Sequence, residues 1–307
     1  VRTLVVVNTR SGGGDASLYD YLRSLSPASE EVVVRYFSGQ QTLEELIGDA
    51  RSFDVVVAVG GDGTVSAVCY ALRDTGIPIL PYPAGTGNLL SLNLGVHLEP
   101  RVLAETTLSG CRVRFDLGEI ERPSTADAPS TRVGFAVMAG AGYDASIVEA
   151  AAPWKSSIGA GAYLVGALAN PTPTISSFQI ELDGESIETD GIAVLLVNFG
   201  RMQFDLEFAR GADPCDGLLD IAVLRSKNIA GLVPAVAAGI FDRAGDRHAI
   251  PGIDVYSANT VSVIAEPLMR MQYDGEVVDA FTPFTARALP RATTLLLPPD
   301  SPYAKNC

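Results

Sequence analysis

The stretch Val55-Val56-Val57-Ala58-Val59-Gly60-Gly61-Asp62-Gly63-Thr64 decides how this chain is read. Its apolar, mostly β-branched first half predicts a buried strand, the paired glycines end it, and Val65 to Leu72 then carries the apolar spacing of a helix. A glycine turn between strand and helix is where phosphates bind. Glycine lets the backbone approach an anion, and the start of the helix offers unpaired N–H groups. The carboxylate in the middle changes the chemistry. Beside bound phosphates Asp62 is repulsive unless a cation or a transferable proton lies between them, so it points to metal or acid–base work. The plainer alternative is a tight βα turn with an N-capping Asp.

Around this stretch, strand and helix signals alternate. Leu4–Val7, Val32–Tyr36, Val55–Val59 and Ile77–Pro81 read as strands; Ala16–Ser24, Thr42–Arg51, Val65–Arg73 and Leu89–Leu94 read as helices. That alternation predicts a parallel sheet covered by helices, with ligands at the carboxyl ends of its strands. Three glycine loops fall at those ends: Asn8 to Gly14 (loop one), Gly60 to Thr64 (loop two) and Pro83 to Asn88 (loop three). Together they could hold a nucleoside triphosphate, with Thr86 and Asn88 offering a hydroxyl and an amide. Asn88 could instead cap the next helix.

After about Arg112 the pattern changes. Val113–Glu121, Arg132–Ala139, Ser177–Leu182, Gly191–Asn198, Gly217–Arg225, Asp254–Ala265 and Met271–Tyr273 read as strands without a helix between each, which suggests an antiparallel sandwich. Helices are expected near Ala145–Ala151, Ile158–Ala169 and Ile229–Phe241, with a last apolar run at Thr293–Leu297. The expected division is an α/β domain over residues 1–112, to which 293–307 returns, and a sandwich domain over 113–292. The string Arg122 to Thr131 reads as a hairpin loop.

Composition narrows the function. With 307 residues, 47% of them hydrophobic, the chain can bury the cores of two domains, and a net charge of -14 argues against tracking a nucleic-acid backbone or adhering electrostatically to an anionic membrane. Only Lys155, Lys227 and Lys305 are lysines, so no Gly-Lys-Ser/Thr phosphate loop exists. Cys69, Cys111, Cys215 and Cys307 are scattered without ligand spacing and read as free thiols of a reducing compartment. Leu4–Val7 is too short for a signal peptide, and no apolar run reaches membrane-spanning length.

A second acidic string, Tyr273-Asp274-Gly275-Glu276, lies in the all-β half. Asp-Gly is ordinarily a hairpin turn, and a second Asp183-Gly184-Glu185 shows how little the tripeptide says alone. Phosphoryl transfer gives the alternative, because it needs carboxylates for Mg²⁺ and one acceptor for the proton of the attacking hydroxyl.

The motifs VVNTRSGGG, AVGGDGTVSAV, PAGTGNLLSLNLG, RFDLGEI, GAGYDA, DGLLDIAVL and YDGEVV stand in this order from Val5 to nearly Pro298. This order resembles the diacylglycerol kinase catalytic-domain superfamily, which includes sphingosine kinases and small bacterial lipid kinases. The resemblance implies a Rossmann-like nucleotide domain followed by a β-sandwich, with ATP and lipid meeting in the cleft between. It implies ATP contacts at Asn8, Thr9, Arg10, Ser11, Gly12, Ser38, Gly60, Gly61, Asp62, Gly63, Thr64, Val65, Ser66, Gly85, Thr86 and Asn88. It makes Glu276 the proton acceptor, with Asp62 and Asp274 completing a Mg²⁺-bearing acidic network that Asp116 supports. It places a structural Mg²⁺ on Asp213, Asp216 and the carbonyl of Leu218. Four departures stand out: Asn8-Thr9 for Asn-Pro, Ser66 where Asn is frequent, Asn88-Leu89 for Asn-Asp, and Cys215 where a second acid is common.

The function so implied is an ATP-dependent phosphotransferase of phospholipid metabolism. It acts on the hydroxyl of a diacylglycerol-like or sphingoid lipid taken from a membrane, in the cytoplasm, with transient peripheral membrane association. No nucleic-acid partner is expected, and a homodimer is among the states the sequence allows. The lipid pocket is expected in loops such as Ala145–Ala169 and Met202–Phe208. An NAD kinase shares the GGDGT loop, although this chain has no Asn-Glu dipeptide to grip the nicotinamide ribose. A catalytically silent lipid- or nucleotide-binding regulator is the third reading.

Overall fold

The computed structural model describes residues 1–11, 15–37, 41–123, 130–142, 173–201, 209, 211–225 and 252–306. The chain divides into two compact units, 1–116 with 291–307, and 117–290. It crosses between them inside two long strands, β5 (Cys111–Arg122) and β16 (Phe284–Leu297).

In the first unit β1 (Arg2–Asn8), β2 (Glu31–Phe37), β3 (Val55–Gly60) and β4 (Pro78–Pro83) run parallel in the order β2-β1-β3-β4. Thr294 and Leu295 of β16 add a parallel neighbour to β4. Every residue of β3 is buried, as expected of a central parallel strand covered on both faces. The helices are α1 (Asp15–Leu25), α2 (Leu43–Ile47), α3 (Asp62–Ala71), α4 (Leu89–Leu94) and α5 (Pro100–Ser109). A capping box starts α2: Thr42 Oγ1 accepts from Glu45 N, and the Glu45 carboxylate accepts from Thr42 N. Helix α5 has no counterpart in the sequence reading, because Thr106, Thr107 and Ser109 are weak helix formers. Each instead returns its hydroxyl to the carbonyl four residues earlier, and Thr107 also bonds the buried Tyr21 hydroxyl of α1 at 2.8 Å.

The second unit is a sandwich of antiparallel strands. One sheet runs β12-β11-β10-β7-β14-β15: Ile253–Ala258, Leu219–Leu224, Ala193–Val197, Met138–Gly142, Arg270–Tyr273 and Glu276–Phe281. The other carries β16, β13 (Thr260–Glu266), β8 (Ser176–Leu182) and β9 (Glu185–Gly191), with β6 (Thr131–Phe135) on β5. Strands β8 and β13 alternate buried and exposed residues. Phe178, Ile180, Val261 and Val263 thereby join Val194, Leu196, Ile221 and Met271 in one core.

The structure departs from the sequence reading elsewhere as well. Arg132–Ala139 and Asp254–Ala265 are each two strands rather than one, broken at 136–137 and at Asn259. Helix α3 begins at Asp62 and β3 runs through Gly60, so loop two shrinks to Gly61. Cys111 is disulfide-bonded while Cys69 and Cys215 are free, which removes the cysteine argument for a reducing compartment. The helices expected at 145–151, 158–169 and 229–241, and the lipid-pocket loops at 145–169 and 202–208, lie outside the described residues. No helix among the described residues is long and apolar enough to cross a membrane.

Candidate active site

The start of loop one, Asn8–Ser11, meets loops two and three at the carboxyl edge of the parallel sheet, tied by close contacts. Asn8, the last residue of β1, takes the Arg10 amide on Oδ1 at 3.0 Å and donates from Nδ2 to Thr64 Oγ1 at 2.7 Å, joining loop one to α3. Thr9 is fixed by its N–H and hydroxyl to the Phe37 carbonyl, both at 3.2 Å. Loops two and three approach through bare backbone. The Ala84 amide bonds the Gly60 carbonyl at 3.0 Å, a Cβ on Gly85 would collide with the Cα of Gly61, and one on Gly60 would meet the Thr64 side chain at 2.5 Å. These positions accept only glycine because another chain segment fills the space. Gly12 and Ser38 lie outside the described residues.

Asn88 does not cap α4 with its side chain. Its backbone is left-handed (φ 49), and its carboxamide closes loop three by accepting from Gly85 N at 2.9 Å and donating to Gly85 O at 2.7 Å. The cap comes from Asp62, whose Oδ1 accepts from Leu90 N at 2.9 Å. The residue is half-exposed while its carboxyl is enclosed, and that burial pushes its pKa up against the opposing pull of amides at Leu90, Leu89, Asp62 and Asn88. Asp62 therefore clasps loop two to loop three, a role no local motif announces. Of the other expected contacts, Val65 and Ser66 are buried in α3, Arg10 and Thr86 are exposed, and Ser11 and Gly63 are half-buried.

In the second unit, Asp274 and Gly275 have φ 47 and 78 between paired Tyr273 and Glu276, the two positive values of a type I′ hairpin turn. Asp274 is only 5% exposed. Its Oδ1 accepts from Val137 N at 2.9 Å and Met138 N at 3.2 Å, and its Oδ2 from Ala136 N at 3.0 Å. Glu276, one residue past the turn, is exposed and makes no hydrogen bond with its carboxylate among the described residues. Its charge and that of Asp274 help hold the Tyr273 phenol up in pKa, after burial as the main cause and against Arg122.

The residues expected to hold metal serve the backbone. Asp116 is fully buried and its Oδ1 accepts from Arg291 N at 2.6 Å, where β16 takes a left-handed step (φ 51). Asp213 Oδ1 takes the Cys215 amide at 3.0 Å and Asp216 Oδ1 the Leu218 amide at 2.9 Å, folding the 213–218 turn on itself. With Cys215 in place of an acid, two carboxylates and the Leu218 carbonyl make a partial oxygen set. Among the described residues no three His, Cys, Asp or Glu side chains group to hold a metal.

Comparison with known proteins agrees with this architecture. The diacylglycerol kinase catalytic domain profile matches residues 2–120, and that of the YegS C-terminal NAD kinase beta sandwich-like domain matches residues 137–297. A diacylglycerol kinase of Mycobacterium tuberculosis is 30% identical over 68% of this chain and 71% of its own length. An uncharacterized protein of Synechocystis is 28% identical over 91% of this chain, which spans 61% of that relative's length. A diacylglycerol kinase structure from Bacillus anthracis superposes with a TM-score of 0.67 at 18% identity, covering 97% of each chain. The chain belongs to the diacylglycerol kinase and YegS-like lipid kinase family, with that family's two-domain fold.

Proposed function

We propose that this protein transfers the γ-phosphoryl group of ATP to the hydroxyl of a diacylglycerol-like or sphingoid lipid, at a cytoplasmic membrane surface. The observation that carries the reading is the clasp of loops two and three, joined by Asn8 at the start of loop one, at one sheet edge, a phosphate cradle whose acidic residue is already engaged by Leu90 N. That engagement bears on the choice of proton acceptor. Asp62 is held by backbone amides and Asp274 by three more, whereas the Glu276 carboxylate is uncommitted among the described residues.

In the proposed step the lipid oxygen forms a bond to the γ-phosphorus as the bond to the β–γ bridging oxygen breaks. The hydroxyl proton passes to Glu276, and ADP leaves. Glycine-loop N–H groups and the exposed Arg10 and Thr86 orient the polyphosphate. Magnesium, when bound with ATP, supplies charge neutralisation and needs only one or two carboxylates beside phosphate oxygens. The test is transfer of label from [γ-³²P]ATP to lipid in mixed vesicles, with NAD as a parallel acceptor. Label in lipid supports the reading. Label in NAD alone supports a nicotinamide nucleotide kinase, and label in neither supports a silent binding protein.

A further inference from the structure

In the second unit the apolar rows on the inner faces of the sandwich run on into polar residues at one end. Ile120 of β5 belongs to the core, so Arg122, two residues further along the strand, lies on the same face. On the other sheet Met271, Val278 and Ala280 face that core, and alternation puts Tyr273 and Glu276 in the same rows. Tyr273 and Glu276 are directly opposed across the β14–β15 hairpin, where paired side chains stand about 5 Å apart at Cβ. The Tyr273 ring packs against the core, and the charges of both Arg122 and Glu276 reach its hydroxyl. The two sheets of one unit thus bring a guanidinium, a phenol and a carboxylate to the same end of the sandwich.

The three groups do not close on one another. Among the described residues the Arg122 guanidinium, the Tyr273 hydroxyl and the Glu276 carboxylate make no hydrogen bond or ion pair. Nor do their acidic neighbours take up Arg122: Glu121 pairs with Arg132 at 2.9 Å on the other face of the β5–β6 hairpin, and Asp274 holds three amides. Opposite charges within range of one phenol, yet unpaired, leave a position between them for a third group. Reach says what that group is. A hydroxyl that gives its proton to Glu276 lies about 2.6 to 3.2 Å from the carboxylate, and the phosphorus becomes bonded to that same oxygen. A guanidinium forks onto two phosphate oxygens, and a neutral phenol donates to a third. Resting on the proposed transfer through Glu276, we propose that Arg122 and Tyr273 form an acceptor-side phosphate site, which holds the phosphoryl group as it arrives on the acceptor oxygen. The proton that Glu276 collects removes the charge that would repel the new phosphate ester there, and the charge of Asp274 is met by its three amides.

The test is calorimetric titration of the full chain with hexyl phosphate, without nucleotide. Arg122→Gln weakens binding about ten- to a hundredfold, the loss of a charge-assisted contact, and Tyr273→Phe about tenfold. Arg122→Lys recovers part of the affinity. Glu276→Gln binds more tightly than the wild type, because a carboxylate beside the phosphate is gone. Arg132→Gln, on the other face of the hairpin, changes nothing, and Arg122→Gln keeps the wild-type Kd for ADP. The proposal is overturned by a wild type that takes up no hexyl phosphate, by Arg122 and Tyr273 variants that bind as the wild type does, or by a Glu276→Gln variant that binds no tighter. Equal weakening by Arg132→Gln, or a weakened Kd for ADP, overturns it as well. Tyr273→Phe keeps its ring on the core, so it folds even if an Arg122 variant does not. In the transfer assay Arg122→Gln lowers kcat about a hundredfold and leaves KM for ATP in place; an unchanged kcat sinks the site. Wild-type protein that labels no lipid, while its hold on hexyl phosphate still depends on Arg122 and Tyr273, defeats the kinase reading and leaves the phosphate site standing.

Discussion

The chain contains the tripeptide Asp-Gly-Glu twice, and the two copies fold alike: Asp183-Gly184 (φ 49, 95) and Asp274-Gly275 (φ 47, 78) each turn a hairpin. Both aspartates also reach across to a remote strand break. Asp183 accepts the amides of Asn259 and Thr260 at 3.0 and 2.8 Å, and Asp274 those of Ala136, Val137 and Met138. The difference is depth, since Asp183 is exposed and Asp274 is buried. In this chain, then, an Asp in a glycine turn is first a backbone acceptor, as Asp62 is too. The proposed proton acceptor, Glu276, stands one residue past the turn.

The sharpest break in the comparison is catalytic. If Glu276 takes the hydroxyl proton, Glu276→Gln lowers lipid-phosphorylating kcat by about a thousandfold, within the range for a lost general base, while Glu185→Gln leaves it unchanged. Equal turnover in the two variants would return both turns to pure structure. Next comes stability. Asp274→Ala strands three buried amides and costs about 3 kcal/mol or more, read as a shift of the urea midpoint at constant m-value.

Asp62 sharpens the contrast through pH. Burial raises its pKa above the ordinary 3.8, so between those values the native state holds more proton than the unfolded one, and stability falls as pH rises through that window. Asp62→Asn keeps an oxygen for Leu90 N and removes that proton. The wild-type minus variant stability curve therefore slopes downward with pH by at most about 1.4 kcal/mol per unit. A flat difference curve would mean that the amides of α4 fully offset burial.

Much of the fold was legible because its signals are local. The β-branched run of β3, the glycines after β3 and β4, and the alternation in β8 all lie within a few residues of the structure they specify. The strand breaks at 136–137 and Asn259 were not legible, because the carboxylates that hold them sit 138 and 76 residues away in sequence. The same holds for the site. Its loops are written in glycine, but the capping of α4 by Asp62 spans 28 residues.

The smallest expected effect is also the control for the rest. Asp183 accepts two amides as Asp274 accepts three, so a count of hydrogen bonds alone would give Asp183→Ala most of the cost of Asp274→Ala. Burial argues otherwise: water reaches the exposed turn and can bond the Asn259 and Thr260 amides once the carboxylate is gone. The loss should be about 1 kcal/mol, with faster hydrogen exchange confined to Asn259 and Thr260. A loss as large as that for Asp274→Ala would show that the β12–β13 corner is held by the carboxylate rather than by the strands around it. The two turns would then differ only in the glutamate that comes after each.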